Sequence, residues 1–433
     1  MSLRSEIELF LQNAKSIDLD LFPFLANKNC FDSSKDSVYY SGPFWDDEEI
    51  IEIFYSFLKG KWLASGEKVR LFEREFSTKF KFSKSLMVNS GSSANLVMIS
   101  ALKKYFGWSD ESEIIVCSCG FPTTIAPIIQ NNLNPVFVDI NMSDLNWDLD
   151  QLESKITNNT VAVFSSPVLG NPYDFDRILQ LCNKYNIQLI SDNCDSLGSK
   201  WKNKFLTEYS IAASCSFYPA HHISTIEGGM VSSDNSEIMN IARSLAWWGR
   251  DCTCVGAQNL LSCGSCGKRF DNWLDDYDGV VDHKYVFSNI GYNLKPADFQ
   301  GGIGSVQLKK FDYIHRVRRE NKESIDKIFD QIDGIRTIKE DHRAEASWFG
   351  VPIVCEDRLL KEKLVAHLEK NRIQTRSYFA GNILSHPGFR HLDDYRNYPN
   401  SNSVLSNVFF VGCSPTISQP MIDYMSEVID RFQ

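Results

Sequence analysis

Three segments of the chain place small, acidic or basic side chains where an apolar run ends or a helix begins. The first, NSGSSANL (89–96), puts Gly91, Ser92 and Ser93 at the entry to a helical pattern. Backbone N–H groups at a helix N-terminus attract anions, and nearby hydroxyls add donors. Serine-rich helix starts are also common caps, so this segment alone leaves an anion site and a plain cap both open.

The second segment, ISDNCDSLGS (190–199), carries Asp192 directly after an apolar run. A carboxylate that follows a strand lies at the edge of an α/β sheet where such folds bind ligands. An ionised Asp in that place can keep a pyridine nitrogen protonated, as pyridoxal-type cofactors require. A helix cap remains the alternative interpretation of Asp192.

The third segment, SCSFYPAHHISTIEGGMV (214–231), contains His221 and His222 in a turn after a strand. Side chains alternate along an extended chain, so the two imidazoles are expected to face different ways. One histidine can therefore serve as a proton-transfer group in a site, because its pKa lies near neutrality. A hydrogen-bonded structural histidine is the alternative.

Five of the twelve cysteines are candidate metal ligands: Cys194, Cys252, Cys254, Cys263 and Cys266. In a reducing compartment, clustered cysteines are more often metal ligands or reactive thiols than disulfides. Four thiolates suit a [2Fe–2S] cluster that combines Cys194 with the later cysteines. A zinc ion bound by the last four cysteines, or thiols with no metal, are the alternatives.

Alternating strand and helix patterns are expected to position these residues. Short apolar runs occur at 113–117, 135–140, 160–166, 187–192 and 212–218, with helical patterns between several of them. This alternation predicts an α/β fold with a large, mostly parallel sheet and a smaller α+β domain after it. We expect an N-terminal extension (1–45), a large domain (46–290) with an irregular Cys-rich insertion (249–290), and a linker helix with a small C-terminal domain (291–433).

The composition excludes several classes of protein. The 433 residues carry a formal net charge of −10, and 43% are hydrophobic, which is typical of a globular chain and argues against disorder. The acidic balance argues against nucleic acid as a partner. No apolar run reaches the ~18–20 residues of a membrane span, and the N-terminus does not look like a secretory signal. We therefore expect a cytoplasmic protein that does not bind membranes.

Over residues 40–430, the order and separation of these segments resemble the sugar aminotransferase family of the vitamin B6-dependent, aspartate-aminotransferase-type fold. The resemblance implies a homodimer in which one residue reaches the cofactor of the neighbouring subunit. It assigns the cofactor phosphate to the turn GSSAN, with Gly91, Ser92 and Ser93, and to Ser216 of SFYP. Phe121 of GFPTT is expected to stack on the cofactor ring, and Asp192 is expected to pair with the ring nitrogen. Asn293 of GYN is expected to contact the cofactor phosphate of the neighbouring subunit.

One departure from the family pattern bears on the reaction. The aminotransferases carry a lysine after SFYP, which forms a Schiff base with pyridoxal phosphate, whereas this chain has His221. Imidazole cannot form that bond, but it can move protons. The resemblance then implies a sugar 3-dehydrase that binds pyridoxamine phosphate and uses His221 as the base. A paralogue that only binds a metal or cofactor is the alternative.

The cysteines resemble those of the iron–sulfur 3-dehydrases that act on CDP-linked 6-deoxy-4-keto-glucose in 3,6-dideoxyhexose and lipopolysaccharide biosynthesis. This resemblance implies a [2Fe–2S] cluster on Cys194, Cys252, Cys254 and Cys266, with Cys263 as the alternative fourth ligand. It also implies an NADH-dependent flavin iron–sulfur reductase as partner. The fourth ligand departs from the family spacing, which is seven residues after the C-x-C pair. An iron-free 3-dehydratase that ends by deamination, as in colitose synthesis, remains open.

Two further residues are candidate contacts to the nucleotide sugar. Arg376, in IQTRSYFAGN, stands where the family's small domain reaches the substrate, and a guanidinium group binds pyrophosphate with two parallel hydrogen bonds. His386, in SHPGF, follows it closely. A solvated surface arginine is the alternative for Arg376.

Overall fold

Three sheets and twelve α-helices organise the part of the chain that the computed structural model describes, namely residues 2–17, 31–254, 264 and 266–432; the smallest sheet joins β11, β6 and β7. The helices are α1 (Leu3–Ile17), α2 (Asp47–Lys59), α3 (Glu67–Phe80), α4 (Gly91–Phe106), α5 (Pro122–Gln130), α6 (Leu149–Ser154), α7 (Phe175–Tyr185), α8 (Ser236–Ala246), α9 (Asp298–Phe329), α10 (Arg358–Lys370), α11 (Pro399–Asn407) and α12 (Gln419–Asp430). The strands are β1 (Lys84–Val88), β2 (Glu113–Cys117), β3 (Asn134–Val138), β4 (Thr160–Ser165), β5 (Gln188–Asp192), β6 (Lys200–Trp201), β7 (Lys204–Phe205), β8 (Ala212–Ser216), β9 (Gly229–Ser233), β10 (Ile335–Thr337), β11 (Ala344–Glu345), β12 (Gly350–Cys355), β13 (Arg376–Ser377) and β14 (Val408–Gly412).

The large sheet has seven strands in the order β1-β9-β8-β5-β4-β2-β3. Its pairings from β8 through β5, β4 and β2 to β3 are parallel, whereas β9 runs antiparallel to both β8 and β1. Strands of a parallel sheet are buried on both faces, so their sequences are continuous apolar runs, as in EIIVC of β2. The predicted mostly parallel sheet is confirmed, and the carboxyl ends of β5 and β8 meet at one edge.

The second sheet is small and antiparallel, with strand order β10-β12-β14-β13. Helix α9, with 32 residues, extends about 48 Å at the usual rise per residue and leads into this unit. Apolar residues of both sheets belong to one continuous core. The predicted smaller α+β unit is therefore confirmed, while the exact domain boundaries stay a prediction.

The five predicted strands are present, with ends that differ by up to two residues. The pattern at 212–218, for example, continues the apolar alternation two residues past the end of β8, where the chain turns toward the site. Strand β1 was not predicted. Its sequence, KSLMV, begins with two polar residues, and among the described strands it is an edge strand that pairs with β9.

The segment before α2 runs beside the small unit. The N–H of Val38 donates to the carbonyl of Arg372 at 2.9 Å, and the N–H of Gln374 donates to the carbonyl of Val38 at 2.9 Å. The same segment also contacts the large domain, because the hydroxyl of Ser41 donates to the carbonyl oxygen of Ala220 at 2.8 Å. Its contact with the small unit brings Tyr40 next to Arg376, whose guanidinium carbon lies 4.2 Å from the centre of the tyrosine ring. Within the described ranges, no helix is long and apolar enough to span a bilayer.

Candidate active site

A cavity of about 470 Å³ lies where the carboxyl ends of β5 and β8 face the small sheet. Its wall combines loop residues of the large sheet with residues from β13, β14 and the start of β12. The lining residues are Tyr40, Ser90, Gly91, Ser92, Phe121, Thr123, Thr124, Ser166, Pro167, Val168, Asp192, Cys194, Asp195, Ser216, Tyr218, Ala220, His221, Glu227, Phe349, Arg376, Ser377, Phe379 and Phe410. Seven of the predicted cofactor, base and substrate residues therefore share one cavity with Cys194.

One end of the cavity is formed by the N-terminus of α4. Ser90 caps this helix, because its hydroxyl accepts the N–H of Ser93 at 3.1 Å. Gly91 and Ser92 occupy the first helical turn, where N–H groups have no acceptor within the helix. A side chain at Gly91 would place its Cβ 2.4 Å from the Cβ of Ser216, so only glycine allows this close approach. The predicted Ser93 is not among the lining residues.

Asp192 lies at the end of β5 and is almost fully buried. Its Oδ2 accepts hydrogen bonds from the Asn95 amide at 2.8 Å and the Thr124 hydroxyl at 2.7 Å. Its Oδ1 accepts the N–H of Cys194 at 3.1 Å. Three donors suit an ionised carboxylate, which has acceptor sites only. The arrangement provides a fixed negative charge in the cavity wall.

Phe121 precedes α5 and has 52% of its surface exposed toward the cavity mouth. Its ring packs edge-on against Phe379 from the small unit, with 6.0 Å between ring centres. The exposed face of the Phe121 ring at the cavity mouth is available to stack on a planar ligand. Phe121 is thus placed near Asp192 and the α4 N-terminus, and its stacking role stays a prediction.

His221 projects into the cavity, whereas His222 points away from it. His222 is buried with its Nε2 2.8 Å from the carbonyl oxygen of Ser347. The His221 ring packs against Phe349, with 5.3 Å between ring centres. Burial, together with the positive charge of Arg318, lowers the pKa of His221 to about 3. His221 is therefore neutral over the physiological range and retains a lone pair that can accept a proton.

Arg318 holds the backbone of this turn. Its guanidinium group is fully buried and donates to the carbonyl oxygens of His221 at 3.2 Å and Ala220 at 3.3 Å. It also donates to the carbonyl of Phe349 at 3.0 Å. The same side chain thus ties the His221 turn to the start of β12. Sequence analysis offered no signal for Arg318, because it reaches the turn from 97 residues away.

Asp195 is a second carboxyl group in the cavity that sequence analysis missed. Its Oδ1 lies 3.8 Å from Nδ1 of His221, a nitrogen for which the described chain supplies no hydrogen-bond partner. Burial and the negative charge of Asp192 raise the pKa of Asp195 to about 8. The sequence signal that could have identified Asp195 is its position in the string NCDS, directly after Cys194 and three residues after Asp192. At neutral pH the carboxyl group of Asp195 is therefore largely protonated.

We expect Asp195→Asn to raise the free energy of unfolding of the cofactor-free protein at pH 7 by about 2–4 kcal/mol. The folded-state pKa of about 8 exceeds the ordinary value of 3.8, so the stability of the wild type is complete below pH 4 and falls as the pH rises toward 8. Asparagine stays neutral in both states and avoids that loss. Urea unfolding at pH 4 and pH 7 measures the difference.

The gain from Asp195→Asn should fall below about 1 kcal/mol at pH 4, where a large share of the unfolded wild-type carboxyl groups is also protonated. Asp312→Asn is a matched control, because that side chain is 84% exposed and should change stability little at either pH. An equal difference between wild type and Asp195→Asn at both pH values would contradict a raised pKa.

The candidate metal ligands do not form one group in the described chain. Cys194 lines the cavity near Gly91, whereas Cys252 and Cys254 lie together in the insertion and interact with each other. Cys266 is exposed, and Cys263 lies outside the described residues. Among the residues described, no set of three or more Cys, His, Asp or Glu side chains is arranged to hold a metal ion. A single chain folded in this way therefore does not fit the proposed four-cysteine cluster.

The remaining predicted residues differ in their placement. Arg376 lines the small-sheet end of the cavity. His386 is not among the lining residues, and its Nε2 lies 2.8 Å from the carbonyl oxygen of Ala380. Asn293 is exposed on the surface, outside its own cavity, and accepts a hydrogen bond from Lys295. Whether Asn293 reaches another subunit stays a prediction.

Comparisons with known proteins agree with this geometry. The family model described as the DegT/DnrJ/EryC1/StrS aminotransferase family matches residues 45–430. The dTDP-4-dehydro-2,6-dideoxy-D-glucose 3-dehydratase of Saccharopolyspora spinosa is 36% identical over 402 residues, which are 90% of this chain and 86% of that protein. The lipopolysaccharide biosynthesis protein RfbH of Salmonella typhimurium is 32% identical over 382 residues, 86% of each protein.

A solved structure extends the comparison to three dimensions. The E. coli GDP-4-keto-6-deoxy-D-mannose-3-dehydratase with bound hydrated PLP is 30% identical, with a TM-score of 0.78 over 90% of this chain and 99% of that one. This likeness confirms the vitamin B6-dependent fold type that the motifs predicted. The chain belongs to the DegT/DnrJ/EryC1/StrS aminotransferase family.

Proposed function

We propose that this protein is a sugar-nucleotide 3-dehydratase that removes the C3 hydroxyl group of a nucleotide-linked 4-keto-6-deoxyhexose. The observation that carries the proposal is a neutral, buried His221 at the position where the aminotransferases of the family have their lysine. The relatives from Saccharopolyspora spinosa and E. coli are both named 3-dehydratases. A histidine that cannot bind the cofactor covalently favours dehydration over transamination.

Pyridoxamine phosphate fits the residues present. Gly91, Ser92 and Ser216 would hold the phosphate, Asp192 would pair with the protonated ring nitrogen, and Phe121 would cover the ring. When bound, this cofactor supplies an amine that condenses with the C4 ketone of the sugar and a ring that accepts electrons. Asp192 contributes the fixed negative charge that keeps the ring nitrogen protonated, because its three hydrogen-bond donors stabilise the carboxylate.

His221 would remove the proton from the C4′ carbon of the cofactor as the C3 hydroxyl leaves. The imidazole is neutral in the cofactor-free cavity, so its lone pair is free at the start of the reaction; because a pKa of about 3 makes a weak base, an anionic group in the loaded site would have to stabilise the imidazolium ion. Three phenylalanine rings, Phe349, Phe379 and Phe410, line the same cavity and limit the access of water. Arg318 holds the backbone of the His221 turn in position.

The nucleotide part of the substrate is proposed to lie toward the small sheet. Arg376 is the sole lysine or arginine among the described residues that line the cavity, and it can bind a pyrophosphate oxygen. The relatives act on different nucleotides by name, dTDP in Saccharopolyspora spinosa and GDP in E. coli. Our proposal of CDP rests on the sequence resemblance alone, and a role in lipopolysaccharide synthesis is supported by the Salmonella relative.

We extend the proposal to a [2Fe–2S] cluster on Cys194, Cys252, Cys254 and Cys266, with electrons from an NADH-dependent flavin iron–sulfur reductase. The placement of Cys194 in the cavity wall supports this, because a cluster there would be close to the reacting sugar. The scattered positions of the cysteines in one chain favour the second candidate instead, an iron-free 3-dehydratase that ends by releasing ammonia.

The decisive assay uses the full-length protein, purified anaerobically, with pyridoxamine phosphate and CDP-, dTDP- or GDP-linked 4-keto-6-deoxyhexose. With the reductase and NADH, the expected product has lost the C3 hydroxyl as water and gained two electrons from NADH. The iron-free alternative needs no reductase, because pyridoxamine phosphate would itself supply the two electrons: each turnover would release one ammonia and convert one pyridoxamine phosphate to pyridoxal phosphate. Mass spectrometry of the sugar and an ammonia assay separate the two, and a substrate unchanged under both conditions would contradict the proposal.

Borohydride treatment in the presence of pyridoxal phosphate is expected to leave the wild-type polypeptide unlabelled, because His221 cannot form a reducible bond to the cofactor. The His221→Lys variant is the positive control and should gain one phosphopyridoxyl group at residue 221. Peptide mass spectrometry measures both. A labelled active-site lysine in the wild type would overturn the assignment of His221 to the lysine position.

A further inference from the structure

We propose that Tyr40 is a positioning residue for the substrate: its ring orients the guanidinium group of Arg376 so that this group can bind the diphosphate of a nucleotide-linked sugar. The inference rests on the proposed function for the class of substrate. It adds to the site a residue from the segment before α2, which sequence analysis did not single out.

The guanidinium group of Arg376 has few partners in the chain. Its Nη1 donates to the carbonyl oxygen of Thr375 at 2.7 Å, and its Nη2 lies 3.5 Å from Oε1 of Gln374. Among the described residues, no carboxylate forms an ion pair with it, so its charge stays available to a ligand. A long arginine side chain with so few contacts would otherwise move among many rotamers, and ordering it on binding would cost affinity.

The Tyr40 ring supplies the missing constraint. The guanidinium carbon of Arg376 lies 4.2 Å from the centre of this ring. A cation over the face of an aromatic ring is attracted by the ring electrons, and this contact uses none of the N–H donors. A carboxylate partner would instead occupy those donors and cancel the charge. The contact with Tyr40 therefore orients the guanidinium group and leaves donors free for an anion in the cavity.

Tyr40 is itself held in place. Its N–H lies 3.4 Å from Oε1 of Gln374, and its ring packs edge-on against Phe410, with 6.1 Å between ring centres. Phe410 is also the neighbour of Arg376 in the pairing of β13 with β14. A Cβ atom at Gly412 would lie 1.9 Å from the carbonyl oxygen of Tyr40, so only glycine lets the segment pass this close to β14. These contacts fix the ring beside the guanidinium group.

The distribution of charge in the cavity favours a diphosphate at this end. Three carboxyl groups line the cavity from the side of the large sheet, namely Asp192, Asp195 and Glu227. Arg376 carries the sole guanidinium or ammonium group among the lining residues that the structure describes. The N-terminus of α4, at the opposite end, would hold the cofactor phosphate. The direction in which the Arg376 group points therefore determines where the substrate diphosphate can bind.

The residue after Tyr40 links this contact to the turn that carries the proposed base. The hydroxyl of Ser41 donates to the carbonyl oxygen of Ala220 at 2.8 Å, and Ala220 directly precedes His221. Arg318 donates to the same carbonyl oxygen at 3.3 Å. The segment thus joins the small-sheet end of the cavity to the His221 turn. A diphosphate held at the small-sheet end leaves the attached sugar to extend toward the base.

Calorimetric titration of the full-length protein with nucleoside diphosphates tests the inference without turnover. The protein is saturated with pyridoxamine phosphate, so that a probe cannot occupy the cofactor site. The probes are CDP, dTDP and GDP, and the matching nucleosides lack both phosphates. Tyr40→Leu keeps an apolar contact with Phe410 but removes the aromatic face. It should weaken binding of the diphosphate that the wild type prefers by about five- to thirtyfold, as expected for a partly buried cation–π contact.

Two substitutions at the same position separate the ring from the rest of the side chain. Tyr40→Phe keeps the aromatic face and should bind the diphosphate within about threefold of the wild type. Tyr40→Met, which is unbranched and apolar, should repeat the loss seen with Tyr40→Leu. Tyr39→Leu is the matched control, because this neighbouring tyrosine is 59% exposed, does not line the cavity and should not change binding. Thermal unfolding verifies that each variant is folded at the temperature of the titration.

A double-mutant cycle distinguishes positioning of Arg376 from a general structural role of Tyr40. Arg376→Gln should weaken binding at least as much as Tyr40→Leu, because it removes the charge itself. Adding Tyr40→Leu to Arg376→Gln should then cause no further loss beyond about twofold, since the ring has no guanidinium group left to orient.

Equal losses from Tyr40→Leu with and without Arg376→Gln would overturn the inference. So would wild-type affinity in Tyr40→Leu, nucleosides that bind as tightly as diphosphates, or no binding of any diphosphate by the wild type at millimolar concentrations. A failure of the proposed function gives a different result. Diphosphate binding that depends on the Tyr40–Arg376 pair, in a protein that dehydrates no 4-keto sugar, would reject the dehydratase and leave the inference standing. Dehydration with normal diphosphate affinity in Tyr40→Leu would reject the inference alone.

Discussion

Replacing His221 with asparagine is expected to slow proton removal from the C4′ carbon of the cofactor by about 10²–10⁴-fold, the usual contribution of a positioned general base. His221 is the base because it is neutral, lies in the cavity and has its backbone held by Arg318. Asparagine keeps a polar side chain of similar reach but cannot accept the proton. Binding of pyridoxamine phosphate should change little, since none of the proposed phosphate and ring contacts involves residue 221.

Exchange of the C4′ hydrogen with solvent deuterium, measured at saturating pyridoxamine phosphate with substrate present, reports this step directly. His222→Asn is the matched control, because this neighbouring imidazole is bonded to the Ser347 carbonyl and does not line the cavity. The control should exchange within a few-fold of the wild-type rate at a temperature where both variants are folded. Wild-type exchange in His221→Asn would show that another group is the base.

Replacing Asp192 with asparagine is expected to reduce the same exchange rate by about 10³-fold, because the ring nitrogen loses the charge that keeps it protonated. The substitution also disturbs the wall of the cavity. In the wild type, Asn95 and Thr124 both donate to Oδ2 of Asp192. If the NH₂ group of the new asparagine takes the place of this oxygen, both donors lose their acceptor. An unpaired buried donor costs about 1–3 kcal/mol of folding stability. Because the ring nitrogen also loses its charged partner, affinity for pyridoxamine phosphate should fall by at least about tenfold.

Titration by protein fluorescence measures the affinity of the Asp192→Asn variant, and deuterium exchange measures its rate. Two variants at Thr124 separate the charge from the hydrogen bonds. Thr124→Ser keeps the hydroxyl donor and should behave as the wild type, whereas Thr124→Val removes one donor and should weaken binding by only a few-fold. A wild-type rate in Asp192→Asn at saturating cofactor would show that Asp192 is not the partner of the ring nitrogen.

Local sequence patterns predicted the scaffold of the site correctly. The strand that ends at Asp192 and the helix that begins at Gly91 follow from short-range signals, an apolar run and a serine cap. Because the carboxyl ends of parallel strands share one edge, the prediction also brought Asp192 and Ser216 to the same cavity. The order of the motifs and their separations along the chain were sufficient to identify the family.

The sequence by itself thus determined the fold class, the family, and the substitution of His221 for a lysine, all of which depend on residue types and their order. The tertiary structure alone decided how far burial and Arg318 lower the pKa of His221, and that Asp195 lies beside it. It also separated Cys194 from Cys252, although both belong to one predicted ligand set. The physical reason is that burial, charge and distance depend on contacts between segments far apart in the chain, which no local pattern encodes.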